Sequence, residues 1–242
     1  MNKMSILHHT RGVIQQVLDV FFPVHCAGCQ RTGYVLCPAC LAQIQPLPSP
    51  ICDFCGTPLS TYGVCKNCQF RLPKLSGQRA VSLYQEPLRS CIHALKYDGN
   101  LRLADPLGLL LAQAYRRYGM RADMMIPVPL HSERQQHRGY NHASLLAEVC
   151  SANVGVQMND NILVRHRATV AQVDLHPRER YQNVAGAFAC SSSSAKSMLN
   201  GRRIVIIDDV STTSATLEAC AMPLFEAGAK EVWGLVLARP LV

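Results

Sequence analysis

No run of about 18–20 uninterrupted apolar residues occurs anywhere in the chain, so no stretch reads as a membrane-spanning helix. Met1 to His9 has neither a long apolar core nor a small-residue cleavage site, which argues against a secretory signal. A dense block of Lys and Arg is also missing, which removes the usual footprint of a dedicated nucleic-acid tail. Tryptophan occurs once, at Trp233 inside the last apolar run, where it reads as core. Apart from paired cysteine knuckles, there is no internal repeat. What is present is ample apolar material: 48% of 242 residues, enough for a packed core and against wholesale disorder. The length suits one ordinary domain plus something smaller. The net charge of +8 favours anionic partners, among them phosphorylated metabolites, nucleic acid and an acidic membrane surface.

Cysteine is abundant, with 12 in all. Eight lie in four Cys-x-x-Cys pairs between Cys26 and Cys68; Cys91, Cys150, Cys190 and Cys220 are scattered among apolar neighbours. With no secretory signal, a reducing compartment is expected, where clustered thiols hold metal rather than bond to each other. The expected location is the cytoplasm. Residues 1–22 form a lead-in segment with helical apolar spacing at Val13, Ile14, Val17, Leu18 and Phe21. Phe21 and Phe22 at its end leave open a peripheral contact with the inner membrane, although its polar face is not rich in Lys and Arg.

Residues 23–70 read as a metal module. Its ligands are Cys26, Cys29, Cys37 and Cys40, then Cys52, Cys55, Cys65 and Cys68. Soft thiolates in fours suit structural Zn²⁺, one or two ions, with an iron–sulfur cluster as the competing chemistry. So short a segment buries little apolar surface, so metal binding would supply most of its folding energy. Consecutive pairing gives a double zinc ribbon; cross-braced pairing uses the same eight ligands in another order. Such a module grips either a partner protein or single-stranded nucleic acid, and nothing within 23–70 decides between them.

A linker at 69–78 separates this module from residues 79–242, where apolar runs alternate with amphipathic stretches. That alternation predicts an α/β domain, a mostly parallel sheet flanked by helices. Ser191 to Ser194 mark a surface loop before its last strand–helix–strand unit. The most informative segment is IVIIDDVSTTSAT, Ile204 to Thr216. A buried strand delivers two carboxylates, then small hydroxylated residues, then a helix N-terminus. Strand end, tight loop and helix start together make an anion site suited to a phosphate monoester. Two acids beside a phosphate would repel it, so their use is to accept hydrogen bonds from sugar hydroxyls, with Mg²⁺ nearby.

This segment resembles the 5-phosphoribosyl-1-pyrophosphate loop of type I phosphoribosyltransferases. The resemblance makes Asp208 and Asp209 the ribose-holding, catalytic pair, and makes Val210, Ser211, Thr212, Thr213, Ser214, Ala215 and Thr216 the 5′-phosphate cradle. One departure stands out: the family usually has glycine where this chain has Ser214. Over nearly the whole chain, the order of Cys knuckles, ALKYDG, PVPLHxxRxxxRGYN and DD loop resembles the ComF family of competence-associated proteins. By that resemblance the C-terminal domain is type I phosphoribosyltransferase-like. Lys96 then belongs to the pyrophosphate side of the site, and Arg134 and Arg138 to a mobile polar loop, His131 to Asn141, that closes over the substrate. No role carries over to His142, where relatives commonly have Gln. Arg165 to Thr169, Gln172, Asp174, Arg178, Arg180, Asn183 and Phe188 make a variable hood.

The resemblance implies binding of phosphoribosylpyrophosphate with Mg²⁺ and a role in uptake or use of external DNA. Partners would be single-stranded DNA and proteins of the uptake machinery. As an enzyme, the chain would transfer the phosphoribosyl group to an acceptor the sequence does not identify. As a non-catalytic factor, it would sense a sugar phosphate and bind single-stranded DNA. A purely structural adaptor is the third reading.

Overall fold

The computed structural model describes residues 23–169, 176–192 and 195–241. The lead-in segment, Gln172, Asp174, Ser193 and Ser194 lie outside them. Two small cysteine-rich units come first, each closing on a one- to two-turn helix: α1 (Pro38–Gln43) and α2 (Lys66–Phe70). The expected linker is shorter than drawn, because Phe70 ends α2 and Gly77 already opens the first strand.

The larger unit has strands β1 (Gly77–Leu83), β2 (Met124–Pro127), β5 (Arg203–Val210) and β6 (Glu231–Arg239) in one all-parallel sheet, ordered β1-β6-β5-β2. Period-2 alternation sorts its core onto two faces. Ile204, Ile206 and Val236 pack with helix α9 (Ala215–Glu226), through Leu217, Cys220, Ala221 and Leu224. Val205, Ile207, Leu235 and Leu237 pack on the other face with α3 (Leu88–Tyr97), α4 (Ala104–Arg117) and α6 (His142–Val154). Strands buried on both faces read as continuous apolar runs, as IVII does. Helices α4 and α6 approach closely at Gly108: a Cβ there would lie 2.5 Å from Val149 Cβ and 3.2 Å from the Leu146 carbonyl.

A separate antiparallel ribbon, β3 (Leu163–Arg165) with β4 (Phe188–Cys190), and helix α7 (Pro177–Val184) make up most of the described part of the stretch read as a hood. A short helix, α8 (Ala195–Leu199), leads into β5. The expected polar loop after Leu130 is instead largely helix α5 (Ser132–Arg138), closed by left-handed Gly139. Glu, Arg and Gln are good helix formers, and Pro129 and Gly139 bracket them. No helix of the described residues is long and apolar enough to cross a membrane.

The β2 ladder with β5 ends at Pro127–Ile207, and Val128 N–H makes the last bond to the Ile207 carbonyl, 2.9 Å. Asp208 and Asp209 therefore emerge beyond their neighbour, at the carboxyl end of the sheet. That crevice is where open α/β sheets bind ligands.

Candidate functional site

The strand, loop and helix expected at Ile204–Thr216 are all present. Ser214 caps α9 with φ +67° and ψ 0°, the left-handed region that favours glycine. The position noted as lacking glycine is thus one whose backbone calls for it. A small, open cleft is lined by Asp208 and every residue from Val210 to Leu217. The first turn of α9 faces this stretch with N–H groups that have no intrahelical acceptor.

The loop's hydroxyls are not equivalent. Ser211 donates its hydroxyl to Gln78 Oε1 at 2.9 Å and its amide to the Ala238 carbonyl at 3.1 Å, so it anchors the loop. Thr212 Oγ1 accepts from Arg180 at 2.6 Å, which brings one hood arginine onto the loop. Thr213 Oγ1 is buried with no hydrogen-bond partner among the described residues, while the Thr213 carbonyl accepts from Tyr181.

The two acids divide. Asp208 borders the cleft, while Asp209 is bound to Lys96, and both carboxylates converge on His142. Asp209 Oδ2 takes a 2.7 Å bond from Lys96 Nζ, and its Oδ1 accepts from Val210 N–H at 2.7 Å. Burial alone would raise the Asp209 pKa, but Lys96 and His142 outweigh it and hold the carboxyl well below the usual range. Asp208 goes the other way: burial, then the neighbouring Asp209 charge, push it up to about 6.

His142 is 4% exposed and faces both acids, with Nε2 at 3.6 Å from Asp209 and 3.9 Å from Asp208. Its Nδ1 lies 2.9 Å from the Arg138 guanidinium. A guanidinium has no acceptor, so Nδ1 accepts and the ring hydrogen sits on Nε2, toward the carboxylates. Arg138 therefore reaches the acids through His142, and also stacks over Tyr97. Arg134 is exposed and donates to the Thr169 carbonyl at 2.8 Å, joining α5 to the hood. Asp208 and residues 210–216 thus line one cleft, Lys96 and Arg138 are tied to the acid pair directly and through His142, and Arg134 is tied to Thr169 instead. His142, Gln78 and Tyr181 are the members that sequence reasoning did not reach.

The cysteines pair consecutively. Cys26, Cys29, Cys37 and Cys40 form one cluster and Cys52, Cys55, Cys65 and Cys68 the other, each with ligand atoms within 4.8 Å of one another. The Cys29–Cys37 and Cys55–Cys65 sulfurs are 3.6 Å apart. A tetrahedron with metal–sulfur bonds of about 2.3 Å has edges of about 3.8 Å, so the sets fit Zn²⁺. The two units repeat each other: Cys37 and Cys65 amides donate to Cys26 and Cys52 sulfurs, both at 3.3 Å. Gln30 and Gly56, each following a knuckle, are both left-handed. Burial would raise the Cys26 thiol, but the Cys37, Cys29 and Gly28 amides outweigh it and bring it to about 6.

Comparison with known proteins places these features together. A double zinc ribbon domain model matches residues 17–69. Competence protein F of Haemophilus influenzae is 33% identical over 230 residues, covering 90% of this chain and 99% of that protein. The DNA utilization protein YhgH of Escherichia coli K12 is 31% identical over 212 residues, covering 85% and 91%. Among solved structures, a purine phosphoribosyltransferase from Pyrococcus horikoshii Ot3 is 17% identical, covering 58% of this chain and 84% of that one, with a TM-score of 0.34.

Proposed function

The chain belongs to the ComF family of competence and DNA-utilization proteins, and from that premise we propose that it binds 5-phosphoribosyl-1-pyrophosphate at the Asp208–Thr216 loop in the service of DNA uptake or the use of external DNA. The observation that carries this reading is the cleft at the carboxyl end of β5, where one carboxylate, a left-handed turn and a helix N-terminus converge. In this reading the first-turn amides of α9 and the Thr213 hydroxyl receive the 5′-phosphate, and Asp208 accepts from a ribose hydroxyl. Asp209 stays paired with Lys96 and keeps that ammonium beside the crevice, where it adds positive charge for the pyrophosphate. Mg²⁺ arriving with the pyrophosphate would supply charge neutralisation. In this reading α5, with Arg134 and Arg138, is the segment that closes over the ligand.

The experiment is incubation with labelled phosphoribosylpyrophosphate, Mg²⁺ and a panel of bases. Saturable binding is the expected result, and absence of any binding overturns the proposal. Base-dependent release of pyrophosphate would make the chain a transferase. Binding without release would make it a sugar-phosphate sensor, and its DNA role would then be tested as salt-dependent retention of single-stranded DNA.

A further inference from the structure

Two lines of polar contacts, the first of them buried, run from the second cysteine cluster to the anion loop. The first passes through Gln78, 1% exposed in β1. Its Nε2 donates to the Cys55 carbonyl at 3.1 Å, and its Oε1 accepts from the Ser211 hydroxyl at 2.9 Å. Its backbone N–H donates to the Phe54 carbonyl at 2.7 Å. A carboxamide set between a carbonyl and a hydroxyl has one satisfied orientation, so it transmits position. The approach is close: Gly56 has φ +69°, and a Cβ there would lie 2.9 Å from the Gln78 carbonyl oxygen. Arg239, 3% exposed, also donates to the Cys55 carbonyl. Four thiolates around Zn²⁺ carry a formal net negative charge, which gives that buried guanidinium its counter-charge.

The second line begins on α2, whose N-cap is Cys65 and which contains Cys68. Its C-cap, Arg71, makes a bidentate pair with Glu218 at 2.7 and 3.0 Å and lies 3.9 Å over the Tyr181 ring. Tyr181 in turn donates to the Thr213 carbonyl. Glu218 is 3% exposed in the first turn of α9. Unpaired, that carboxylate would repel a phosphate at the same helix end; Arg71 cancels it. The first cysteine cluster is seated elsewhere, with Gly28 against Pro87 and the Gln45 carbonyl accepting from Ser82, and so serves as an internal control.

We propose that Gln78 and Arg71 are positioning residues through which the metal-held second cysteine site sets the shape and charge of the anion loop. Its ligand-binding part rests on reading that loop as a sugar-phosphate site; its conformational part does not. The test uses the full zinc-loaded chain, metal analysis, hydrogen exchange of residues 211–216 without ligand, and affinity for ribose 5-phosphate. Gln78→Ala should keep both zinc ions yet speed loop exchange roughly tenfold, the effect of leaving buried partners unsatisfied. Cys65→Ser/Cys68→Ser should do the same with one zinc lost, whereas Cys37→Ser/Cys40→Ser should lose one zinc and leave the loop unchanged. If the second-site variant does not fold, Gln78→Ala decides alone. Arg71→Ala should weaken ribose 5-phosphate binding about tenfold, and adding Glu218→Gln should restore it. A role in packing alone would leave the double variant as weak as the single one. Loop exchange at the wild-type rate in Gln78→Ala overturns the proposal. Failure of the wild-type chain to bind ribose 5-phosphate removes the sugar-phosphate reading, and the exchange result still decides the coupling.

Discussion

At Ser214 the chain sets a side chain where the backbone turns left-handed, a conformation that costs a non-glycine residue about 1–2 kcal/mol. Such strain persists where surrounding structure over-determines it, often at a ligand site. Ser214→Gly is expected to raise unfolding stability by about 1 kcal/mol, measured by urea titration. No gain would mean that the serine hydroxyl compensates the turn. Asp208 supplies a second residue-scale prediction. Its carboxyl is raised from 3.8 to about 6 in the folded chain. Between those values the folded state holds a proton that the unfolded chain has released, so this group lowers stability as pH rises through the window. Asp209, held low, contributes stability above its unfolded value of 3.8 that is lost as pH falls below it, a separate range. Urea titrations across that higher window should show the Asp208 slope in wild type and its absence in Asp208→Asn. The missing glycine at Ser214 was legible in the sequence because a loop motif fixes its place. His142 was not, because a histidine opening a helix carries no spacing signal. Its partners, Asp208 and Asp209, are far away along the chain.

Elements explain what residues do not. The sheet was legible because strands buried on both faces leave long apolar runs, as in IVII, while the α4 and α6 stretches keep helical apolar spacing. Helix α5 was missed: a seven-residue polar segment with no buried residue has no hydrophobic period to announce it. Only its helix formers and bracketing Pro129 and Gly139 could have done so. The α4–α6 contact depends on Gly108, where added carbon would meet Val149 within 2.5 Å. Gly108→Val should therefore destabilise the chain by about 1–3 kcal/mol or more, read as a lower Tm. An unchanged Tm would mean that the two helices separate freely. Because α6 carries His142 at its start, a shift there would also reach the acid pair.

For the molecule as a whole, the two cysteine clusters and the α/β unit form one contact network. The ribbons were fully legible as ligand sets, because Cys-x-x-Cys spacing alone aims two thiolates at one point. Their pairing was left open by sequence and is consecutive in space. Their seating on the sheet was illegible, since Gln78 and Arg239 read as ordinary polar residues within strand runs. Stripping zinc with a strong chelator is expected to unfold residues 23–70 first, because so short a segment draws most of its folding energy from metal. Circular dichroism with hydrogen exchange would follow it. Retention of the native exchange pattern without zinc would show that packing on the sheet suffices. The measurement that bears most directly on the central claim is calorimetry with phosphoribosylpyrophosphate and Mg²⁺, on wild type and on Asp208→Ala/Asp209→Ala shown to be folded and zinc-loaded. A saturable heat that the double variant loses is the predicted result. The same heat in both proteins, or none in the wild type, would contradict it.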